Sequence, residues 1–135
     1  MPTSQPLPKV VVPPYDKNNV FARILRGEMP FEWVYGNQYV MAFRDIAPVA
    51  KVHVLVVPRG AYVNYHDFIE NAPANEQLGF WKAVDHVARE LGLAENGWRM
   101  VANTGKDAGQ VVPHFHIHIL GGEPLGPMDN PPRQN

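Results

Sequence analysis

The chain has 135 residues, 45% of them hydrophobic, which leaves room for one domain with a single core and none for a second. Twelve Lys and Arg stand against 13 Asp and Glu, a formal net charge of −1, so nothing attracts nucleic acid over distance and a small-molecule ligand fits better. With no apolar run long enough to span a bilayer, and no charged-then-apolar order in the first residues, a soluble cytoplasmic protein with no membrane partner is expected, while the lack of cysteine excludes disulfides, thiolate zinc sites and a cysteine nucleophile.

Pro2, Pro6, Pro8, Pro13 and Pro14 favour extended backbone, so residues 1–18 read as a proline-rich arm, either disordered or lying along a partner subunit. From Asn19, the spacing of Val20, Phe21, Ile24 and Leu25 predicts a short helix closing at Gly27, with Asn18 or Asn19 as its cap. Phe31 to Tyr35 and Gln38 to Phe43 are two β-prone runs around Gly36-Asn37, which suits a tight hairpin turn. After Pro48, Lys51 to Pro58 is almost continuously apolar, the pattern of a central strand buried on both faces, with His53 its one buried polar side chain.

Between residues 74 and 92, Leu78, Trp81, Val84, Val87, Ala88 and Leu91 recur at three and four, predicting a long amphipathic helix ended by Gly92. Trp98 to Thr104 reads as a strand and Lys106 to Gln110 as a glycine-containing loop. A last strand runs from Val112 to Leu120. Five strands and two helices in this order, with mostly hairpin-length links, predict an α+β domain on a mainly antiparallel sheet.

The last strand carries the chemistry. His114, His116 and His118 alternate with Phe115, Ile117 and Ile119, a period of two that puts three imidazoles on one face, ~6.7 Å apart along the strand. Imidazole titrates near neutrality and serves as nucleophile, proton shuttle or metal ligand. From spacing alone three readings stay open: a metal site, a catalytic nucleophile with helpers, or polar residues on a solvated face. No carboxylate stands close by to complete a metal set, and the loop Gly105-Lys106-Asp107-Ala108-Gly109-Gln110 suits either an ordinary hairpin or an approach of backbone amides to an anion.

Asn103-Thr-Gly-Lys-Asp-Ala-Gly-Gln110, followed by His114-x-His116-x-His118-x-x-Gly121-Gly122, resembles the histidine-triad (HIT) family of nucleotide hydrolases and transferases, in its nucleotide-binding Hint-like branch. Phe21-x-x-Ile24-x-x-Gly27-Glu28-x-Pro30, Ala42-Phe43-x-Asp45-Ile46-x-Pro48 and His53-x-Leu55-Val56-x-Pro58 are similar to the family's other blocks, in the same order. The resemblance implies a HIT domain over residues 19–128, with a tail at 129–135.

It also implies roles. His116 matches the nucleophile that attacks the α-phosphorus of a purine nucleotide and forms a covalent nucleotidyl-histidine, as in a purine nucleoside phosphoramidase. His114 and His118 match positions that orient the phosphate and the nucleophile, and His53 a fourth histidine facing the same site. Asp45, beside Ile46, matches an acceptor for the ribose hydroxyls, although without the resemblance a plain turn aspartate before Pro48 is the favoured reading. Phe21, Ile24, Phe43 and Leu55 match the slot for the base, while Asn103 and the amides of Gly109, Gln110 and Val111 match contacts to the phosphate. No cofactor and no metal are implied, since relatives that hold a structural zinc do so through cysteines; a homodimer with a sheet continuous across two subunits is. The chain departs from the pattern at Val111, where many relatives carry a hydroxyl on the leaving-group side. That leaves a second reading, a nucleotide-binding regulatory protein with negligible turnover.

Overall fold

The computed structural model describes residues 5–128; Met1 to Ser4 and the expected tail at 129–135 lie outside them. Five strands form one sheet in the order β1-β2-β3-β5-β4, every neighbouring pair antiparallel: β1 Trp33–Gly36, β2 Val40–Arg44, β3 Val52–Pro58, β4 Arg99–Val101 and β5 Ile117–Gly121. Helices α1 Val20–Leu25, α2 Tyr65–Asn71 and α3 Ala74–Glu90, with a 3-10 turn at Lys106–Ala108, complete the α+β fold. Among the described residues no helix is long and apolar enough to cross a membrane.

Period-two alternation sorts the sheet into two faces. Val54 pairs with Ile119 and Val56 with Ile117, and these four pack with Phe115 under α2 and α3, where Phe68, Phe80, Val84 and Val87 are fully buried. Leu55 pairs with Phe43 on one side and His118 on the other, so this row lies on the opposite face, which Phe21 and Ile24 of α1 cover. β3 sits at the centre and is buried at every position but Val52, as its unbroken apolar run predicts.

α1 starts where Asn19 accepts a hydrogen bond from the Ala22 amide at 2.9 Å, and ends at Gly27, whose φ of +76° only glycine adopts readily. α3 buries Phe80, Ala83, Val84, Val87 and Ala88, a face rotated from the expected stripe, so that Leu78 is 57% exposed. The hairpin also differs. Gly36 stays in β1 without a positive φ, and Asn37 makes the turn by accepting from the amides of Tyr39 and Val40 at 2.8 and 3.0 Å.

Two further differences bear on the site. α2 adds a second short helix to the pair expected; with one buried residue, Phe68, it has no apolar stripe to detect, but reciprocal bonds of Asn64 to the Asp67 amide and of Asp67 to the Val63 amide, at 3.0 and 2.7 Å, mark its start. The last strand begins at Ile117 instead of Val112. The ladder ends at Val56–Ile117; carried two residues further the register would set Phe115 opposite Pro58, which has no amide hydrogen to donate, and Phe115 donates to the Tyr62 carbonyl at 2.7 Å instead. His114 and His116 therefore precede the strand while keeping its alternation.

Candidate active site

All four histidines of the sheet's α1-covered face are buried, and their hydrogen bonds fix which nitrogen carries each hydrogen. His116 Nδ1 lies 2.6 Å from the carbonyl oxygen of His114. A carbonyl only accepts, so Nδ1 holds the hydrogen and Nε2 keeps its lone pair. His53 Nδ1 accepts from the Val49 amide at 3.2 Å, which puts the His53 hydrogen on Nε2, 2.9 Å from His118 Nδ1. His118 Nδ1 is then an acceptor, and its own hydrogen sits on Nε2. The Nε2 atoms of His116 and His118 are the two buried side-chain polar atoms without a partner among the described residues: one lone pair and one N–H, on rings 5.3 Å apart.

His114 differs from both. Its Nε2 donates to the Pro58 carbonyl at 2.9 Å, so Nδ1 accepts from the Tyr15 hydroxyl at 2.6 Å. With both nitrogens occupied, its ring offers nothing to a phosphate, and its contribution to the nucleophile is the backbone carbonyl. The arm thus docks on its own chain here, where the sequence suggested disorder or a partner subunit.

Burial is the first cause of the shift in each of the four rings. It holds His114 down at about 4, and His118 at about 3 with help from the neighbouring His116 and His53; His116 and His53 are also lowered, against the opposing pull of Asp45. All four are neutral at pH 7, as lone-pair chemistry at His116 requires. The sign for stability follows: with folded values below the ordinary 6.5, the unfolded chain binds more protons, so stability is full above about pH 6.5 and is lost as pH falls towards 4. His114 and His118 should each lower the unfolding free energy by about 2 kcal/mol between pH 7 and pH 5. Urea unfolding at the two pH values measures this, and equal midpoints would contradict the neutral buried pair.

Asp45 lies just past β2, with Oδ1 accepting from the Ala47 amide at 2.8 Å and Oδ2 3.5 Å from His53 Nε2. Asp45 thus shapes the turn and also faces the histidines. Among the described residues, Asp45, His53 and His118 are the set whose ligand atoms, within 4.8 Å of one another, could hold a metal ion. Two of those atoms share a hydrogen at 2.9 Å, which accounts for their spacing without an ion.

Beside Asp45 opens an apolar cleft of about 140 Å³ lined by Phe21, Ile24, Phe43, Leu55 and Ile46, the last 96% exposed at the lip. The structure thus brings the expected base-slot residues together, and Phe21 links slot to site, its ring centroid 4.8 Å from that of His116. Val20, Pro30, Phe31, Arg44 and Val112 complete the lining; Pro30 belongs to a family block, and the other four read only as helix, strand or loop residues in sequence.

Gly109, Gln110 and Val111 line a separate cleft next to Pro13 and Asn64. Gln110 binds the loop internally, its side-chain amide donating to the carbonyls of Val63 and Val112 and its oxygen accepting from the Gly105 amide. Asn103 is half-buried after β4, ahead of this loop. His86 pairs with Glu90 on α3 at 2.6 Å.

A buried, neutral imidazole with a free lone pair, beside an imidazole N–H and an apolar slot, is the arrangement that histidine-based group transfer needs. Residues 26–125 match the HIT domain, and the chain belongs to the HIT family. It is 53% identical over 114 residues to an uncharacterised 13.2 kDa HIT-like protein of Azospirillum brasilense, covering 84% of this chain and 93% of that protein. It is 40% identical over 113 residues to the purine nucleoside phosphoramidase of Escherichia coli K12, covering 83% and 93%. Among solved structures, a HIT family hydrolase from Clostridium thermocellum superposes with a TM-score of 0.75 at 40% identity, covering 82% of this chain and 96% of that one. That neighbour has the same α+β fold.

Proposed function

We propose that the protein is a Hint-like nucleotidyl hydrolase that cleaves the phosphorus–nitrogen bond of AMP-like phosphoramidates through a nucleotidyl-histidine. The observation that carries this reading is the tautomer of His116: the 2.6 Å bond from Nδ1 to the His114 carbonyl leaves the Nε2 lone pair of the ring free to attack.

In the first step His116 Nε2 attacks the α-phosphorus, a P–N bond forms to the enzyme, and the bond to the leaving nitrogen breaks as that nitrogen takes a proton from solvent and departs as the neutral amine. His118 Nε2–H stands ready to hydrogen-bond the departing nitrogen or a phosphate oxygen, and the His53 N–H restores polarity at His118 Nδ1. The substituted His116 ring carries positive charge, which its Nδ1–H spreads onto the His114 carbonyl and Asp45 offsets. Water then attacks the same phosphorus and gives up a proton to solvent, the Nε2–P bond breaks, and AMP is released with the lone pair returned to His116. In this reading the base lies in the Phe21–Phe43–Leu55 slot, Asp45 Oδ2 accepts from the ribose, and the phosphate is met by Asn103 and by the amides of Gly109–Val111, whose loop lines the second cleft. Relatedness to the E. coli phosphoramidase supports the substrate class.

Mixing the protein with an AMP amide, quenching in base because a phosphorus–nitrogen bond to imidazole is acid-labile, and sequencing the peptides by mass spectrometry tests the intermediate. AMP mass on the peptide containing His116 is the expected result; turnover with no such adduct, or an adduct elsewhere, rejects it.

The regulatory reading keeps one observation in its favour: Val111 has no hydroxyl to assist departure, and it is 67% exposed beside the loop cleft. Under the hydrolase reading this costs most with poor leaving groups. Val111→Ser should therefore raise kcat/KM on an alkyl phosphoramidate by about tenfold and on an activated one far less, with little desolvation cost at so exposed a position. Ratios that move together for the two substrates would reduce Val111 to a surface residue. A homodimer belongs to the same reading, since β4 is an edge strand and Met100 on it is 45% exposed.

A further inference from the structure

Tyr15 lies 99 residues from His114, in an arm whose proline content suggested no function, yet its hydroxyl is 2.6 Å from His114 Nδ1 and the two rings meet edge to face at 5.6 Å. The direction of the bond is settled, because Pro58 takes the hydrogen of Nε2 and the phenol must donate. His114 is completely buried and held at both ring nitrogens. Its carbonyl oxygen is the acceptor for His116 Nδ1–H.

That carbonyl lies outside the strand ladder. The backbone bonds flanking it are His114 amide to Val112 carbonyl at 2.9 Å and Phe115 amide to Tyr62 carbonyl at 2.7 Å, both irregular. The ring anchors therefore make a large part of what fixes the peptide plane behind the nucleophile. The arm is built to deliver the tyrosine: Pro13 and Pro14 limit the backbone before it, Pro13 adjoins Gly109 and Val111, and after it the Asp16 carbonyl accepts from the Asn19 side chain at 2.8 Å, tying the arm to the start of α1.

We propose that Tyr15 is a positioning residue of the active site, its hydroxyl clamping the His114 ring so that the His114 carbonyl holds His116 with Nε2 towards the phosphorus. The arm is then part of the catalytic apparatus and not an appendage to it. The kinetic consequence rests on the nucleotidyl-transfer reading; the effect on the two histidines does not.

The test uses the full chain with 15N-labelled histidine, as wild type, Tyr15→Phe and Tyr15→Ala. Tyr15→Phe keeps the ring and its edge contact, so a fold defect is confined to the alanine variant. In Tyr15→Phe the His114 Nδ1 resonance should move towards that of an unbonded lone pair, and the His116 Nδ1–H proton signal should shift with it. Turnover of an AMP amide should fall about tenfold in kcat, the loss of one neutral hydrogen bond, with KM within about threefold of wild type. Superimposable His114 and His116 signals in wild type and Tyr15→Phe overturn the clamp, and so do shifted signals with unchanged kcat. Absence of turnover in the wild type would sink the hydrolase reading alone, leaving the histidine signals to decide the clamp.

Discussion

His116→Ala is expected to lower turnover of AMP amides by at least about 10⁴-fold while AMP affinity stays within a few-fold, because it removes the attacking atom and spares the slot and Asp45. The expectation rests on one nitrogen. His116 Nε2 is the buried lone pair that nothing in the described chain uses, whereas the lone pairs of His53, His114 and His118 at Nδ1 each accept a hydrogen bond. No neighbour can substitute for it without breaking an existing bond. His116→Gln fills more of the space beside Phe21 than alanine does, so it separates lost chemistry from a collapsed site. Steady-state kinetics and AMP titration of both variants check the claim. Activity within tenfold of wild type in His116→Gln would remove His116 as nucleophile.

How much of this was legible in the chain depends on where the determinants lie. The alternation of His114, His116 and His118 with Phe115, Ile117 and Ile119 is a local pattern, and it placed three rings on one face even though the ladder ends at Ile117. β3 and the α+β class were legible for the same reason, since Val52–Pro58 carries its own signature of burial. α2 was not, because a helix with the single buried residue Phe68 has no period to find.

The protonation pattern is of another kind. It depends on the Pro58 carbonyl, the Val49 amide and the Tyr15 hydroxyl, which reach the site from three different segments and have nothing in their own neighbourhoods to announce it. A resemblance implies His116 as nucleophile, but the reason its Nε2 keeps a free lone pair is a carbonyl two residues away whose orientation only the fold sets. His114 shows the limit most clearly: expected to contact the phosphate, it has no ring nitrogen left to do so.

His118→Ala should be the second large effect, a loss of about 10²–10³-fold in kcat, comparable to removing one preorganised donor from a transition state. Its Nε2–H is the free donor beside the nucleophile, and it exists because His53 Nε2–H occupies the other nitrogen. His53→Ala leaves His118 in place but takes away the bond that selects its tautomer. The ring can then put its hydrogen on Nδ1 and turn a lone pair towards the phosphate oxygens, which repels instead of donates. A loss of roughly tenfold to a hundredfold follows for His53→Ala, and it should act entirely through His118. The double variant tests that dependence: once His118 is gone, removing His53 as well should cost almost nothing further in kcat. The losses should also be larger with an alkylamine leaving group than with an activated one, since a poor leaving group needs the donor more. Losses that multiply in the double variant would mean that His53 acts independently, through Asp45 at 3.5 Å, and that the ordered line of hydrogens from Val49 through His53 to His118 is not what supplies the donor.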